Sequence, residues 1–319
     1  MIADVTLHVP EAIRARAWAM RQFYGTLAKA LQGEGLAVEV VTLDPERTLA
    51  RIEADHGFHI VHHARIRHPR VLNAGKAYIE PFFTLDPWGY RLFSSIAAET
   101  FRPGPDPDRD AAVFDDIRAR MVGARKSHYE QPAEVIPAPD HCIAVFLQTE
   151  DNRDVGETCH LGPRHMIKAL LERDDPRPVV VKPHPKEKNL ETLDWLTRQA
   201  RKEPRLQIFL GNIHDLLAKA DVVVTINSAV GIEAMLHERP VVLCGDTDFH
   251  HICEVVTRRR DLDAALARAE ARAAAGDWPF RAYIGWYYGR MCHDPRAPDF
   301  GRRVLDKLRA MEAAQAGFR

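Results

Sequence analysis

The fold of this chain is decided by residues 221–234, which read DVVVTINSAVGIEA. A largely apolar run at 222–226 leads into a polar turn at Asn227 and Ser228, after which the pattern becomes helical. Continuous apolar strands are typical of parallel sheets whose two faces are both covered by helices. The stretch therefore predicts the strand–turn–helix unit of an α/β fold.

The same alternation extends outward in both directions. Short runs rich in Val and Ile predict strands at 38–43, 59–61, 143–147, 178–181, 206–209, 222–226 and 241–243. Helical spacing predicts helices at 11–31, 164–171, 190–202, 213–219 and 230–236. Strands that alternate with helices of this length need crossover connections, so we expect parallel sheets.

The length of 319 residues suggests two domains. The stretch from 123 to 140 holds Pro132, Pro137 and Pro139, and we expect a linker there. The predicted organisation is an N-terminal α/β domain at 1–130, a second α/β domain at 138–295, and a C-terminal helix at 298–319. The expected architecture is two Rossmann-like domains facing a central cleft, with that helix packing back on the first domain.

Composition excludes several classes of protein. The 44 Lys and Arg residues nearly balance the 45 Asp and Glu residues, and a general nucleic-acid binder would carry a basic excess. No run approaches the roughly 18–20 apolar residues that a membrane-spanning helix needs. The N-terminus lacks the apolar core of a signal peptide, and the 5 cysteines are scattered without C-x-x-C pairs. We therefore expect a cytoplasmic location.

A second motif, VVVKPHP at 179–185, ends a strand in Lys182 and places His184 between two prolines. Ligands of open α/β sheets bind beyond the carboxyl ends of the strands, where this motif falls. The prolines restrict the backbone on both sides, so the imidazole is held on a stiff turn. A cation and an imidazole there suit a phosphate. An ordinary surface turn is the alternative.

The turn at Asn227 and Ser228 is the second candidate phosphate site, because free N–H groups at a helix start attract anions. Gly231 would let a ligand approach the backbone, and Glu233 could reach ribose hydroxyls. The alternative is that Asn227 or Ser228 caps the helix and that Glu233 compensates its dipole.

A third element precedes that turn. Asn212 is the candidate N-cap of the helix predicted at 213–219. His214, near the start of the same helix, could touch a base or a phosphate, or have a purely structural use.

Residues 182–185, 212–214 and 225–245 together resemble the bacterial capsule polysaccharide biosynthesis family, over about Cys142–His251. These are retaining β-Kdo transferases of the GT-B fold that use CMP-Kdo. The resemblance implies transfer of Kdo, or a related ulosonic acid, from a CMP-activated donor to a surface-glycan or glycolipid acceptor. It also implies that the domain at 1–130 lies on the acceptor side, that the domain at 138–295 binds the nucleotide sugar, and that His184, Pro185 and Ser228 hold the CMP moiety.

The family has a Gln followed by an Asp at the end of the strand that begins its donor-binding region. Gln148 and Asp151 match that pattern, with a spacing one residue shorter, so Glu150 and Asp154 compete with Asp151. The resemblance makes this Asp the nucleophile. The general base stays open among Glu150, His160 and His165.

The resemblance implies no cofactor and no metal. Asp246-Thr-Asp248 does fit the D-x-D pattern of metal-dependent transferases, and metal binding there is the alternative. The expected partners are the CMP-sugar donor and a glycan or glycolipid acceptor, with peripheral association at the inner membrane as an alternative location. A CDP-activated glycerol phosphotransferase, a sugar-nucleotide epimerase of GT-B-like fold and a non-catalytic nucleotide-binding relative are the competing functions.

Two further clusters have structural interpretations. The aromatic residues between Trp278 and Tyr288 recur at helical spacing, which predicts buried core. The five histidines from His56 to His68 predict a strand followed by a solvated, locally cationic loop.

Overall fold

The computed structural model describes residues 2, 4–149 and 153–316. The chain forms two compact units, Met1–Glu99 with Tyr287–Arg319, and Thr100–Trp286. Each unit is built around its own sheet. Residues 100–130, which the sequence analysis assigned to the first domain, fold with the second unit.

The strands of the described residues occur in both units and are numbered in chain order. They are β1 Asp4–Val9, β2 Ala37–Thr42, β3 Phe58–His62, β4 Val71–Lys76, β5 Phe83–Asp86, β6 Cys142–Phe146, β7 Val179–Lys182, β8 Leu206–Ile208, β9 Ala220–Thr225, β10 Val241–Leu243 and β11 Glu254–Val255.

The α-helices of the same residues alternate with these strands through most of the chain. They are α1 Glu11–Arg14, α2 Ala17–Gln22, α3 Tyr24–Gly33, α4 Pro45–Ala54, α5 Pro107–Arg118, α6 Arg153–Thr158, α7 Pro163–Leu171, α8 Leu190–Ala200, α9 Ile213–Lys219, α10 Val230–Leu236, α11 Leu262–Ala275, α12 Phe280–Trp286 and α13 Phe300–Ala316.

The first unit has the strand order β2-β1-β3-β4-β5. Its pairs are parallel except for β4 with β5, which is antiparallel. Helix α13 packs against α3, and its Phe300, Val304 and Leu308 join Leu27 and Leu31 in one buried cluster. The prediction that the C-terminal helix packs back on the first domain is thus confirmed, because burial of its apolar face requires that core.

The second unit has the order β11-β10-β9-β6-β7-β8, and all its pairs are parallel. From β6 the chain adds β7 and β8 on one side, then returns to add β9, β10 and β11 on the other. This is the doubly wound order of Rossmann-type sheets. The winding reverses between β6 and β9, which makes that pair the switch point of the sheet.

Helix α5 joins the second unit because it packs closely on α12. A Cβ atom added at Gly285 of α12 would lie 2.4 Å from the Cβ and 2.5 Å from the Cα of Asp110. Only glycine permits this approach, so the helix containing Asp110 is held to the second unit by backbone packing.

The long helix predicted at 11–31 is interrupted. Arg16 and Phe23 leave the helical region, with φ and ψ of −116° and 103° at Arg16 and of −149° and −67° at Phe23. The Phe23 ring is buried and stacks on Phe83 with 3.8 Å between ring centroids. The helix is thus interrupted at a residue whose ring packs in the core.

The prediction missed β1, whose sequence DVTLHV alternates polar and apolar residues. Both faces of the strand are nevertheless buried. The polar His8 is accommodated there because its Nδ1 lies 3.1 Å from the Thr48 hydroxyl and its Nε2 lies 3.0 Å from His59 Nδ1. His59 is fully buried on β3, the strand that the histidine stretch was predicted to form.

The aromatic residues between Trp278 and Tyr288 are buried, which confirms the prediction of core. In the part of the chain that the structure describes, no helix is both long enough and apolar enough to cross a membrane.

Candidate functional site

The candidate site lies at the carboxyl edge of the second sheet. Strand β6 lies between β7 and β9, and all three run in parallel, so the loops that follow them leave the sheet at one edge. Gln148 follows β6, the His184 turn follows β7, and Asn227 follows β9. Ligands of doubly wound sheets bind in the crevice at the switch point. The topology therefore brings the predicted turns to the edge where a ligand is expected.

Asn227 connects the segments around the switch point through hydrogen bonds. Its Oδ1 accepts a hydrogen bond from Gln148 Nε2 at 2.8 Å, and its backbone N–H donates to Gln148 Oε1 at 3.1 Å. Its Nδ2 donates to Thr158 Oγ1 at 2.8 Å and to the Asp246 carbonyl at 3.0 Å. The Asn227 side chain is buried, and these bonds use all of its polar atoms within the protein. The ligand-binding role expected for Asn227 and the catalytic role expected for Gln148 stay predictions.

We expect Asn227→Asp to lower the free energy of unfolding of the second unit by about 2 kcal/mol. A carboxylate cannot donate the two bonds that Nδ2 makes, and it turns an oxygen toward the Asp246 carbonyl. Urea unfolding measures the loss. Asn189→Asp is the matched control, because Asn189 accepts bonds from the Glu191 and Thr192 N–H groups at the start of α8, which Asp also does. Equal losses in the two variants would contradict this account.

The Ser228 turn leads into α10. The Ser228 Oγ accepts a hydrogen bond from the Val230 N–H at 3.3 Å, and the side chain is 9% exposed. A Cβ at Gly231 would lie 2.8 Å from the Phe249 ring. Packing against Phe249 therefore explains the glycine, whereas the sequence analysis attributed it to close approach of a ligand.

The His184 turn presents a neutral imidazole. Its Nδ1 accepts a hydrogen bond from the Lys186 N–H at 3.1 Å, so the ring proton of the neutral form lies on Nε2. Burial lowers the pKa of His184 below its usual value of 6.5. The turn thus offers a hydrogen-bond donor that is already oriented, between Pro183 and Pro185.

Lys182, at the end of β7, is tied to the neighbouring loop. Its Nζ donates to the Gly211 carbonyl at 2.6 Å, and burial lowers its pKa. One of its three donors is therefore used inside the protein, and the role expected for it toward a phosphate stays a prediction.

Asn212, His214 and Glu233 come together, but around a segment of the protein rather than at an open surface. Asn212 caps α9 by accepting from the His214 N–H at 3.0 Å, as predicted. Its Nδ2 donates to the carbonyls of Arg125 and Pro132, both at 3.3 Å. The second function of Asn212 is thus to hold residues 125–136, called the 125–136 segment below.

His214 and Glu233 also bind the 125–136 segment. The His214 Nε2 lies 2.8 Å from the Lys126 carbonyl and its Nδ1 lies 2.9 Å from His237 Nε2. Ser127 Oγ donates to Glu233 Oε1 at 2.8 Å, whereas Glu233 Oε2 has no hydrogen-bond partner among the described residues. Both residues are at most 4% exposed. These hydrogen bonds lie within the protein, and the contacts expected for His214 with a base or a phosphate and for Glu233 with a ribose stay predictions.

Burial raises the pKa of Glu233 to about 8. The hydrogen bond from Ser127 opposes this shift but is the smaller effect. Near neutral pH the carboxyl group is therefore protonated, which the dipole interpretation of Glu233 did not anticipate.

The predicted nucleophile Asp151 and its competitor Glu150 lie outside the described residues. Of the other candidates, His160 Nε2 lies 2.9 Å from Asp246 Oδ1, and His165 is exposed on α7. The Asp248 side chain is fully buried. Residues 2, 4–149 and 153–316 contain no group of three or more His, Cys, Asp or Glu that could hold a metal ion.

Sequence reasoning missed the 125–136 segment as part of this site and treated it as a linker. Its Tyr129 ring lies edge-to-face with His184, with 4.9 Å between centroids and an interplanar angle of 87°. The available sequence signal was one aromatic residue, Tyr129, in a Pro-rich polar stretch. This signal does not predict which residue the ring contacts.

Parts of the chain are similar to a known protein family and to one curated protein. Residues 119–276 match the family model described as capsule polysaccharide biosynthesis protein. Protein FixF of Sinorhizobium fredii is 46% identical over 68 residues, which is 20% of this chain and 17% of FixF. The matched stretch thus spans under a fifth of that relative.

Two solved structures from Thermosulfurimonas dismutans share the fold. The β-Kdo 2,7 transferase of KpsC superposes with a TM-score of 0.53 at 12% identity, over 97% of this chain and 99% of that one. The β-Kdo 2,4 transferase of KpsC gives a TM-score of 0.50 at 15% identity, over 82% and 86% of the two chains. At these identities the likeness establishes a GT-B-type α/β fold.

Proposed function

Because the chain belongs to the capsule polysaccharide biosynthesis family through residues 119–276, we propose that it is a glycosyltransferase acting in capsule synthesis. The donor we propose is CMP-Kdo or a related CMP-ulosonic acid, and the acceptor is a surface glycan or glycolipid. Transfer proceeds with retention and without a metal. An acceptor of this kind would bring the protein to the cytoplasmic face of the inner membrane.

The observation that carries this proposal is the position of two turns relative to the switch point. The His184 turn and the Ser228 turn follow the strands on either side of β6. A phosphate between them would meet the His184 Nε2–H, whose orientation is set by the bond at Nδ1. Hydrogen-bond donors that are already oriented toward a leaving group make the largest single contribution to rate enhancement in reactions of this type.

The proposed chemistry is a double displacement. The Asp151 carboxylate bonds to the anomeric carbon while the bond from that carbon to the phosphate oxygen breaks, and CMP leaves with the electron pair. The acceptor hydroxyl then attacks the same carbon, releases Asp151 and loses its proton to a base. Two inversions give net retention. His160 is the base candidate that has an orienting carboxylate, because it bonds to Asp246.

The test combines binding with mass spectrometry. We expect calorimetry to detect CMP binding, and CMP-Kdo to leave one ulosonyl residue on the intact protein. Asp151→Ala should still bind CMP but should show no adduct, because only the nucleophile is removed. Failure of CMP to bind at millimolar concentration would disprove the proposal.

The same assay separates the competing functions. Thermal stabilisation by CDP-glycerol or by a UDP-sugar, without stabilisation by CMP, would favour the phosphotransferase or the epimerase. Stabilisation by CMP without turnover in any acceptor assay, and with Asp151→Ala behaving like the natural protein, would favour a non-catalytic relative.

A further inference from the structure

The 125–136 segment is fastened at both ends to the start of α9. At its beginning, the Arg125 guanidinium forms an ion pair with the Asp215 carboxylate. At its end, the Ile136 N–H donates to Asp215 Oδ2 at 3.3 Å. One acidic residue thus anchors both ends, and the backbone that carries Tyr129 between them is held in place.

Between these anchors Tyr129 packs on the His184 turn. Besides the edge-to-face contact with His184, the Lys186 ammonium lies 4.8 Å from the Tyr129 ring centroid. The Tyr129 hydroxyl makes no hydrogen bond within the described residues, so these contacts belong to the ring alone. An aromatic pair and a cation–π contact of this kind each favour one relative orientation of the groups.

We propose that Tyr129 is a positioning residue that fixes the plane of the His184 imidazole. The backbone of His184 is restricted by Pro183 and Pro185, which leaves rotation about the side-chain bonds as its remaining freedom. The Lys186 N–H donates to Nδ1, and the Tyr129 ring, which is perpendicular to the imidazole, restricts rotation of the imidazole. The identity of the group that meets Nε2, a donor phosphate, rests on the proposed function.

The first experiment needs no ligand. His184 is followed by NMR through a pH titration, with His184→Ala used to assign its ring signals. Burial lowers the His184 pKa, and the charged groups that face the ring are Glu187, which raises it, and Lys186 and His128, which lower it. Removing the ring in Tyr129→Ala admits water, so we expect the pKa to rise toward 6.5. In Tyr129→Phe we expect the natural titration, because the ring is kept.

The second experiment measures CMP affinity by calorimetry. Tyr129→Ala should bind CMP about fivefold more weakly, the size of one aromatic contact. Tyr129→Phe should match the natural protein, and Glu130→Ala, which changes an exposed neighbour in the same segment, should do so too. On a His184→Ala background, Tyr129→Ala should cause no further loss.

The two experiments test different claims, so their failures can be distinguished. An unchanged His184 titration in Tyr129→Ala would overturn the positioning role, whatever ligand the site takes. The positioning role would also be overturned if Tyr129→Ala weakened CMP binding as much on the His184→Ala background as it does in the natural protein. Lack of CMP binding by the natural protein would instead disprove the proposed function, and the titration would still decide the role of Tyr129.

Discussion

The Glu233→Gln variant is expected to be more stable than the natural protein at neutral and alkaline pH, and the gap should widen between pH 4.5 and about 8. In the unfolded chain this carboxyl loses its proton near 4.5, whereas in the folded protein burial keeps it protonated to about 8. Between these values the folded state binds one more proton, so stability falls as pH rises. Glutamine does not titrate, so the variant escapes this loss.

The expected magnitude is large for one side chain. One linked proton changes the free energy of unfolding by about 1.4 kcal/mol per pH unit. The difference between variant and natural protein should reach on the order of 4 kcal/mol by pH 8. Glutamine also keeps the acceptor that the Ser127 hydroxyl uses, so little packing is lost.

Urea titrations at a series of pH values, followed by hydrogen exchange of α10, measure this difference in the second unit. Comparison at equal pH cancels the intrinsic exchange rate. Glu130→Gln, which changes an exposed carboxylate of the 125–136 segment, is the control and should leave the pH dependence unchanged. Parallel stability curves for Glu233→Gln and the natural protein would mean that Glu233 is ionised in the fold.

The second large effect is expected in catalysis. His184→Ala should slow release of CMP from a CMP-activated donor by about 10²–10³-fold, because it removes an oriented donor to the leaving phosphate. The Nδ1 bond to the Lys186 N–H leaves Nε2 as the donating atom. Single-turnover measurement isolates this step, since acceptor binding does not enter it.

His141→Asn is the control for this variant. His141 is exposed and precedes β6, so it lies at the amino edge of the sheet, away from the carboxyl ends of the strands. Its φ of 53° is one that Asn tolerates. Release of CMP at the natural rate by His184→Ala would remove the imidazole from the mechanism, provided that the control is also unchanged.

The second unit was predicted well because its strands are continuous apolar runs. The predicted ranges for β10 and α9 agree with the structure at every residue, and β6, β7 and β9 shift by one or two residues. Such runs signal burial on both faces without reference to any distant residue. The motif positions at the strand ends follow directly, which is why the His184 and Ser228 turns could be placed at one edge of the sheet.

The polar contacts of the site were not predictable in this way. Gln148 and Asn227 are 79 residues apart, and Ser127 and Glu233 are 106 apart. A pattern of hydrophobic spacing reports only which face of an element is buried. It does not report which distant donor will meet a buried acceptor, so Glu233 was interpreted as a ribose contact.

By itself, the sequence determined the α/β class, the parallel strands of the second unit and the turns at its carboxyl edge, because these depend on local periodicity. Only the tertiary structure decided that the 125–136 segment lies against α9 and His184, and that Asn212, His214 and Glu233 bind it. The reason is physical: burial of polar atoms is tolerated only when partners are found, and the available partners are set by how the whole unit packs.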